Sequence, residues 1–166
     1  MTENSSHRIP SEEQHETLRV KEVHGVHRKY TIIEHVGKGG FGDVYMGLDE
    51  ENEVVAIKLI HPDHAARFDR EWMLTGSIDH PCVVRCTDHG TFLPAGQDDE
   101  WHFLVTDYVT GQSLKQLYAD DSTRDFDEVI RIFADVATAL EAIHAAGVVH
   151  RDIAPGNILI QARAHG

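Results

Sequence analysis

The apolar residues change period along the chain, and each change marks an element. From Tyr30 to Val36, the positions Ile32, Ile33 and Val36 predict a strand running into a glycine-rich turn, and Val44-Tyr45-Met46 predicts the strand that returns. A turn cluster, Asp49-Glu50-Glu51-Asn52, precedes the apolar run Val54-Val55-Ala56-Ile57-Lys58-Leu59-Ile60, which reads as a buried strand. A helix is predicted from about Asp63 to Ile78, stopped at Asp79-His80-Pro81. Val83 to Thr87 and Trp101 to Tyr108 predict two more strands. The loop between them, with Pro94, Gly96 and Asp98-Asp99-Glu100, reads as a solvated tip. A short helix near Ser113 to Tyr118 precedes a long one from about Phe126 to Ala146, in which Val129, Ile132, Phe133, Val136, Leu140 and Ile143 recur at helical spacing. Asp125 and Glu128 predict a capping box at its start, and Gly147 its end.

Residues 1–29 are polar, mixed in charge and without a sustained period, and predict a disordered or partly helical lead-in; the folded part is expected to begin near Tyr30. With 166 residues the chain can hold one ordinary domain. Its 15 Lys and Arg against 28 Asp and Glu give a net charge of −13, which argues against nucleic acid as a partner. Cys82 and Cys86 form no disulfide framework and read as buried structural thiols in a reducing compartment. His61-Pro62-Asp63-His64 reads as loop polarity rather than a metal site. No apolar run reaches the roughly eighteen residues that span a bilayer, and no secretory signal opens the chain, so a soluble cytoplasmic protein is expected.

Three stretches carry chemistry. The first is Gly37-Lys38-Gly39-Gly40-Phe41-Gly42-Asp43-Val44. Dinucleotide-binding folds have the same glycine spacing but need a helix directly after the loop, whereas here a strand follows. In a hairpin, the glycines let the backbone fold over a triphosphate and present N–H groups to it. The second is Lys58, a lysine inside an apolar strand, costly to bury unless anions partner its ammonium. The third is His150-Arg151-Asp152-Ile153-Ala154-Pro155-Gly156-Asn157, which sets a carboxylate and an amide just after the long helix.

In order and spacing these stretches resemble the Gly-rich loop, strand lysine and catalytic loop of the protein kinases, in particular the Ser/Thr kinases of bacteria and their eukaryotic-like relatives. The resemblance covers about Tyr30 to Ile160 and implies an α+β kinase-like fold. Its small lobe, residues 30–109, would have five antiparallel strands and one helix; residues 110–166 would open a helical large lobe. It also implies ATP and Mg²⁺ as cofactors and a protein hydroxyl as acceptor. Lys58 would hold the α- and β-phosphates and pair with Glu71 on the first helix. Gly37, Gly39 and Gly42 would cover the phosphates. Val36, Val44, Ala56 and Leu159 would sandwich the adenine, with backbone groups of Asp107 and Val109 on its edge and Thr106 at the gatekeeper position. Asp152 would accept or orient the proton of the substrate hydroxyl, and Asn157 would hold one Mg²⁺.

The chain departs from the family pattern at Ala154, where Ser/Thr kinases usually carry a lysine that touches the γ-phosphate. Pro155-Gly156-Asn157-Ile158-Leu159 also resembles the loop of small-molecule phosphotransferases that act on aminoglycosides or choline. The nine residues after Asn157 hold no acidic side chain and no Asp-Phe-Gly segment. The expectation is therefore a kinase unit interrupted after its catalytic loop, which binds nucleotide but transfers phosphate negligibly. A non-catalytic nucleotide-binding or regulatory fragment is the alternative. The long helix, lacking the helices it would pack against, is expected to drive self-association.

Overall fold

The computed structural model describes residues 20–39, 42–65, 68, 72, 76, 78–119 and 125–161. Six strands form one antiparallel sheet: β1 (Glu22–His24), β2 (Lys29–Gly39), β3 (Gly42–Leu48), β4 (Val54–Ile60), β5 (Cys86–Phe92) and β6 (Trp101–Asp107), in the order β1-β2-β3-β4-β6-β5. β4 lies in the interior, paired with β3 on one side and β6 on the other, and its alternation sends Ile57 and Leu59 to one face. There they pack with Tyr45, Phe103, Val105, Trp101, Tyr30 and Val23 in the main core. Each such fully buried side chain contributes about 1.5–3 kcal/mol relative to exposure. On the other face Ile60 and Leu104 pack against Phe68 and Cys86, with Trp72 alongside. Ala65, Phe68, Trp72 and Gly76, within the helix expected over Asp63 to Ile78, are helical; the residues between them lie outside those described.

The five expected strands are present, and a sixth joins them. β1 falls within the expected lead-in, because Val23 is buried against the core and a carboxylate holds the turn that follows. That carboxylate is Asp88, in β5 and 0% exposed. It accepts from the backbone N–H groups of Val26, His27, Arg28 and His89 at 2.8–3.3 Å and from the Tyr30 hydroxyl at 2.9 Å. Burial alone would push its pKa up, but these hydrogen bonds, led by that from His89, bring it below the usual carboxylate range. The same buried acid explains why the strand expected over Val83 to Thr87 runs over Cys86–Phe92 instead: Asp88 reads as a strand end in sequence, yet it is paired with Val105 inside the sheet.

Cys86 is buried as expected, its thiol donating to the Val105 carbonyl at 3.1 Å. Cys82 is exposed, a correction to the reading of two buried thiols: it sits in the turn after Pro81, where its N–H donates to His80 Nδ1.

Past Asp107, β7 (Gly111–Ser113) runs into the short helix α1 (Leu114–Leu117), which is closed by a capping box of Ser113 and Gln116. The long helix α2 covers Phe126–Ala145. Its N-cap is Asp125, which accepts from the N–H of Asp127 rather than forming the expected box with Glu128. At the other end the N–H of Gly147 donates to His144 and that of Val148 to Ile143, a Schellman closure with Gly147 at φ 76°. Ile143 packs with Ile78, Val83, Leu140 and Val148. A second apolar edge of the same helix, Phe126, Ile130 and Phe133, is exposed, Phe133 by 66%.

Candidate functional site

The glycine hairpin between β2 and β3 closes on the pair Gly39–Gly42, with Gly40 and Phe41 outside the described residues. Its glycines answer to different demands. A Cβ on Gly42 would collide with the carbonyl oxygen of Leu59, so this position is fixed by the close approach of β4. Among the described residues a Cβ on Gly37 would meet nothing within 4 Å, so packing against them does not demand a glycine there.

Lys58 sits half-buried on β4, with Val44 and Leu104 as its cross-strand neighbours. β4 is an interior strand of the sheet, so Lys58 does not stand on an edge. Ala56, two residues back on the same face, lies between Met46 and Thr106. The sheet thus gathers Val44, Ala56, Lys58 and Thr106 on the face opposite the main core. Val36 stands beside them on β2, at a point where the ladder skips a residue. At the end of β6 the N–H of Asp107 donates to the Arg85 carbonyl at 3.1 Å and its carboxylate faces Arg85 Nε at 3.5 Å. Val109 follows, half-buried. Glu71, the expected partner of Lys58, lies outside the described residues.

The second cluster is the loop after α2. Arg151 takes a left-handed backbone, φ 62°, a conformation that non-glycine residues adopt at a cost and that is enriched at functional turns. The N–H of Asp152 donates to His150 Nδ1 at 3.3 Å. A 3₁₀ turn, Pro155–Asn157, then brings the Asn157 amide back: its Nδ2 donates to both the backbone oxygen and Oδ2 of Asp152, each at 2.9 Å. With Nδ2 so engaged, Asn157 offers its Oδ1 as an acceptor beside the Asp152 carboxylate. Hard oxygen donors of this kind fit Mg²⁺. The loop is tied down by β8 (Leu159–Gln161), whose Leu159 pairs with Ser113 of β7. The segment leaving β6 and the segment leaving the loop are thereby joined.

A family model described as the protein kinase domain matches residues 30–165. The chain belongs to the protein kinase domain family. Among curated relatives of this kinase chain, the probable serine/threonine-protein kinase pknA2 of Bifidobacterium longum is 37% identical over 82% of the chain. Serine/threonine-protein kinase PrkC of Bacillus subtilis is 34% identical over 80%. The kinase chain spans about a fifth of the length of these relatives, 19% and 20%. Among solved structures, the kinase domain of Mycobacterium tuberculosis PknI superposes with a TM-score of 0.69 at 27% identity, over 87% of this chain and 58% of that one. Rad53 in complex with AMP-PNP gives 0.68 at 29% identity, over 83% and 36%. The fold is thus that of a kinase small lobe with part of its helical lobe.

Proposed function

We propose that this chain is the ATP-binding part of a serine/threonine protein kinase. The observation that carries the reading is Lys58, half-buried on an interior strand and sharing a face with Val44, Ala56 and Thr106 just past the glycine hairpin. A cation there meets the phosphates of a nucleotide whose base lies against the apolar residues of the sheet and against Leu159, with its edge toward Asp107 and Val109. Gly37, Gly39 and Gly42 lower the backbone toward the phosphates. Glu71, outside the described residues, is the acid proposed to pair with Lys58. Asp152 orients the substrate hydroxyl and takes its proton, while Asn157 offers Oδ1 to the metal. Mg²⁺, when bound, neutralises charge on the transferring group. The names of the relatives support a Ser/Thr hydroxyl as acceptor. The exposed edge of α2 supports self-association. Among the described residues no helix is long and apolar enough to cross a membrane.

The test is the metal dependence of binding. For wild type, affinity for a fluorescent ATP analogue rises on adding Mg²⁺, and Asn157→Ala removes most of that rise while leaving the metal-free affinity unchanged. An unchanged rise in Asn157→Ala would overturn the role given to this loop.

A further inference from the structure

Two side chains that nucleotide contact does not use face each other across the glycine hairpin, just below its turn. His35 Nε2 lies 3.0 Å from Asp43 Oδ1. In the β2–β3 ladder His35 stands opposite Tyr45, the pairing then skips Val36, and it resumes at Gly37–Val44 and Lys38–Asp43. The side-chain bond runs diagonally from His35 to Asp43 and so brackets the skipped residue, where backbone pairing gives the hairpin least support. It does so on the face of Tyr45, opposite Lys58, where the His35 ring meets the Tyr45 ring edge-on at 5.1 Å. The bulge it brackets holds Val36, and the strand it steadies leads into Gly37.

We infer that His35 and Asp43 are a positioning pair for the glycine hairpin, drawn tight when His35 is protonated and slack when it is neutral, so that nucleotide affinity falls as pH rises. This rests on the nucleotide-binding reading above. An imidazolium–carboxylate bond is roughly twice as strong as one from neutral imidazole. Histidine is the side chain whose ordinary titration falls between about pH 5 and 8. A second effect has the same sign: the Asp43 carboxylate, next to Gly42, repels incoming phosphates unless a cation neutralises it. The groups around the pair do not reverse that sign. Lys38 stands opposite Asp43 in the ladder. Burial, and then the charge of Asp43, push the Tyr45 phenol up and away from this range. From β4 the residues opposite Asp43 and Tyr45 are Leu59 and Ile57, which carry no proton to exchange, and Glu34 lies opposite Met46 on the other face. The side chains are 45% and 28% exposed, so the effect belongs to the modest range of solvated pairs.

The experiment follows the affinity of the 166-residue chain for a fluorescent ATP analogue with excess Mg²⁺ from about pH 6 to about pH 8. Wild type is compared with Asp43→Asn and His35→Arg, and the titration of the analogue's own phosphates cancels in the ratios. The wild-type affinity relative to Asp43→Asn is expected to fall about two- to fivefold across the range. His35→Arg, with a cation that does not titrate, keeps the low-pH affinity at pH 8. Parallel profiles for all three proteins would overturn the pair while leaving nucleotide binding standing. A chain that binds no analogue at any pH would overturn the nucleotide reading, and the pair with it.

Discussion

Asp88 is an acid that no spacing rule singles out, and it ties the edge strand β5 to the turn after β1, the opposite edge of the sheet. Its carboxylate accepts from four backbone N–H groups, three of them in the turn after β1, and from Tyr30, and it lies within no motif. Replacing it with Asn removes the charge and turns a donor toward donors. Asp88→Asn is expected to cost about 2–4 kcal/mol in urea unfolding. The pH dependence follows in sign. A carboxylate whose folded pKa is depressed contributes stability that is present above the unfolded value, about 3.9, and lost as pH falls through the folded one. Wild type should therefore lose stability below about pH 4, and Asp88→Asn should lose less there. A residual slope is expected from Asp49, which the backbone N–H of Glu53, partly opposed by burial, holds low in the same sense. The interior-strand setting of Lys58 and the shared loop of Asp152 and Asn157 were legible in the sequence because each lies at a fixed offset along one strand or loop. Asp88 and the His35–Asp43 pair were not, since each depends on partners that only the sheet brings near.

At the scale of elements, short apolar runs between turn signals located the strands β2, β3, β4 and β6, and the 3.6-residue period of its apolar positions located α2. β1 escaped because three residues with one buried valine carry no period, and β5 was displaced because its center is Asp88-His89-Gly90. The end of α2 was correctly read from Gly147. There the backbone is left-handed, and a Cβ has open space around it, so the cost of an alanine is conformational alone. Gly147→Ala is expected to lower stability by about 1 kcal/mol in thermal or urea unfolding, without altering nucleotide affinity.

For the whole molecule, the apolar side chains of α2 fall on two faces. One packs against Ile78 and Val83; the other, Phe126, Ile130 and Phe133, meets solvent. Contiguous exposed apolar side chains of this size favour association. Sedimentation is expected to show concentration-dependent self-association, reduced in Phe133→Glu; a wild type that stays monomeric and binds no hydrophobic dye would contradict this. The cation of β4, Lys58, sits on the face of the sheet opposite the main core. The most direct measurement is the affinity for a fluorescent ATP analogue of wild type and of Lys58→Met, both checked for an unchanged melt. The substitution is expected to weaken binding at least tenfold, roughly 1.4 kcal/mol or more, the scale of a lost charge-assisted contact. Equal affinity in the two proteins would place the nucleotide elsewhere and contradict the site.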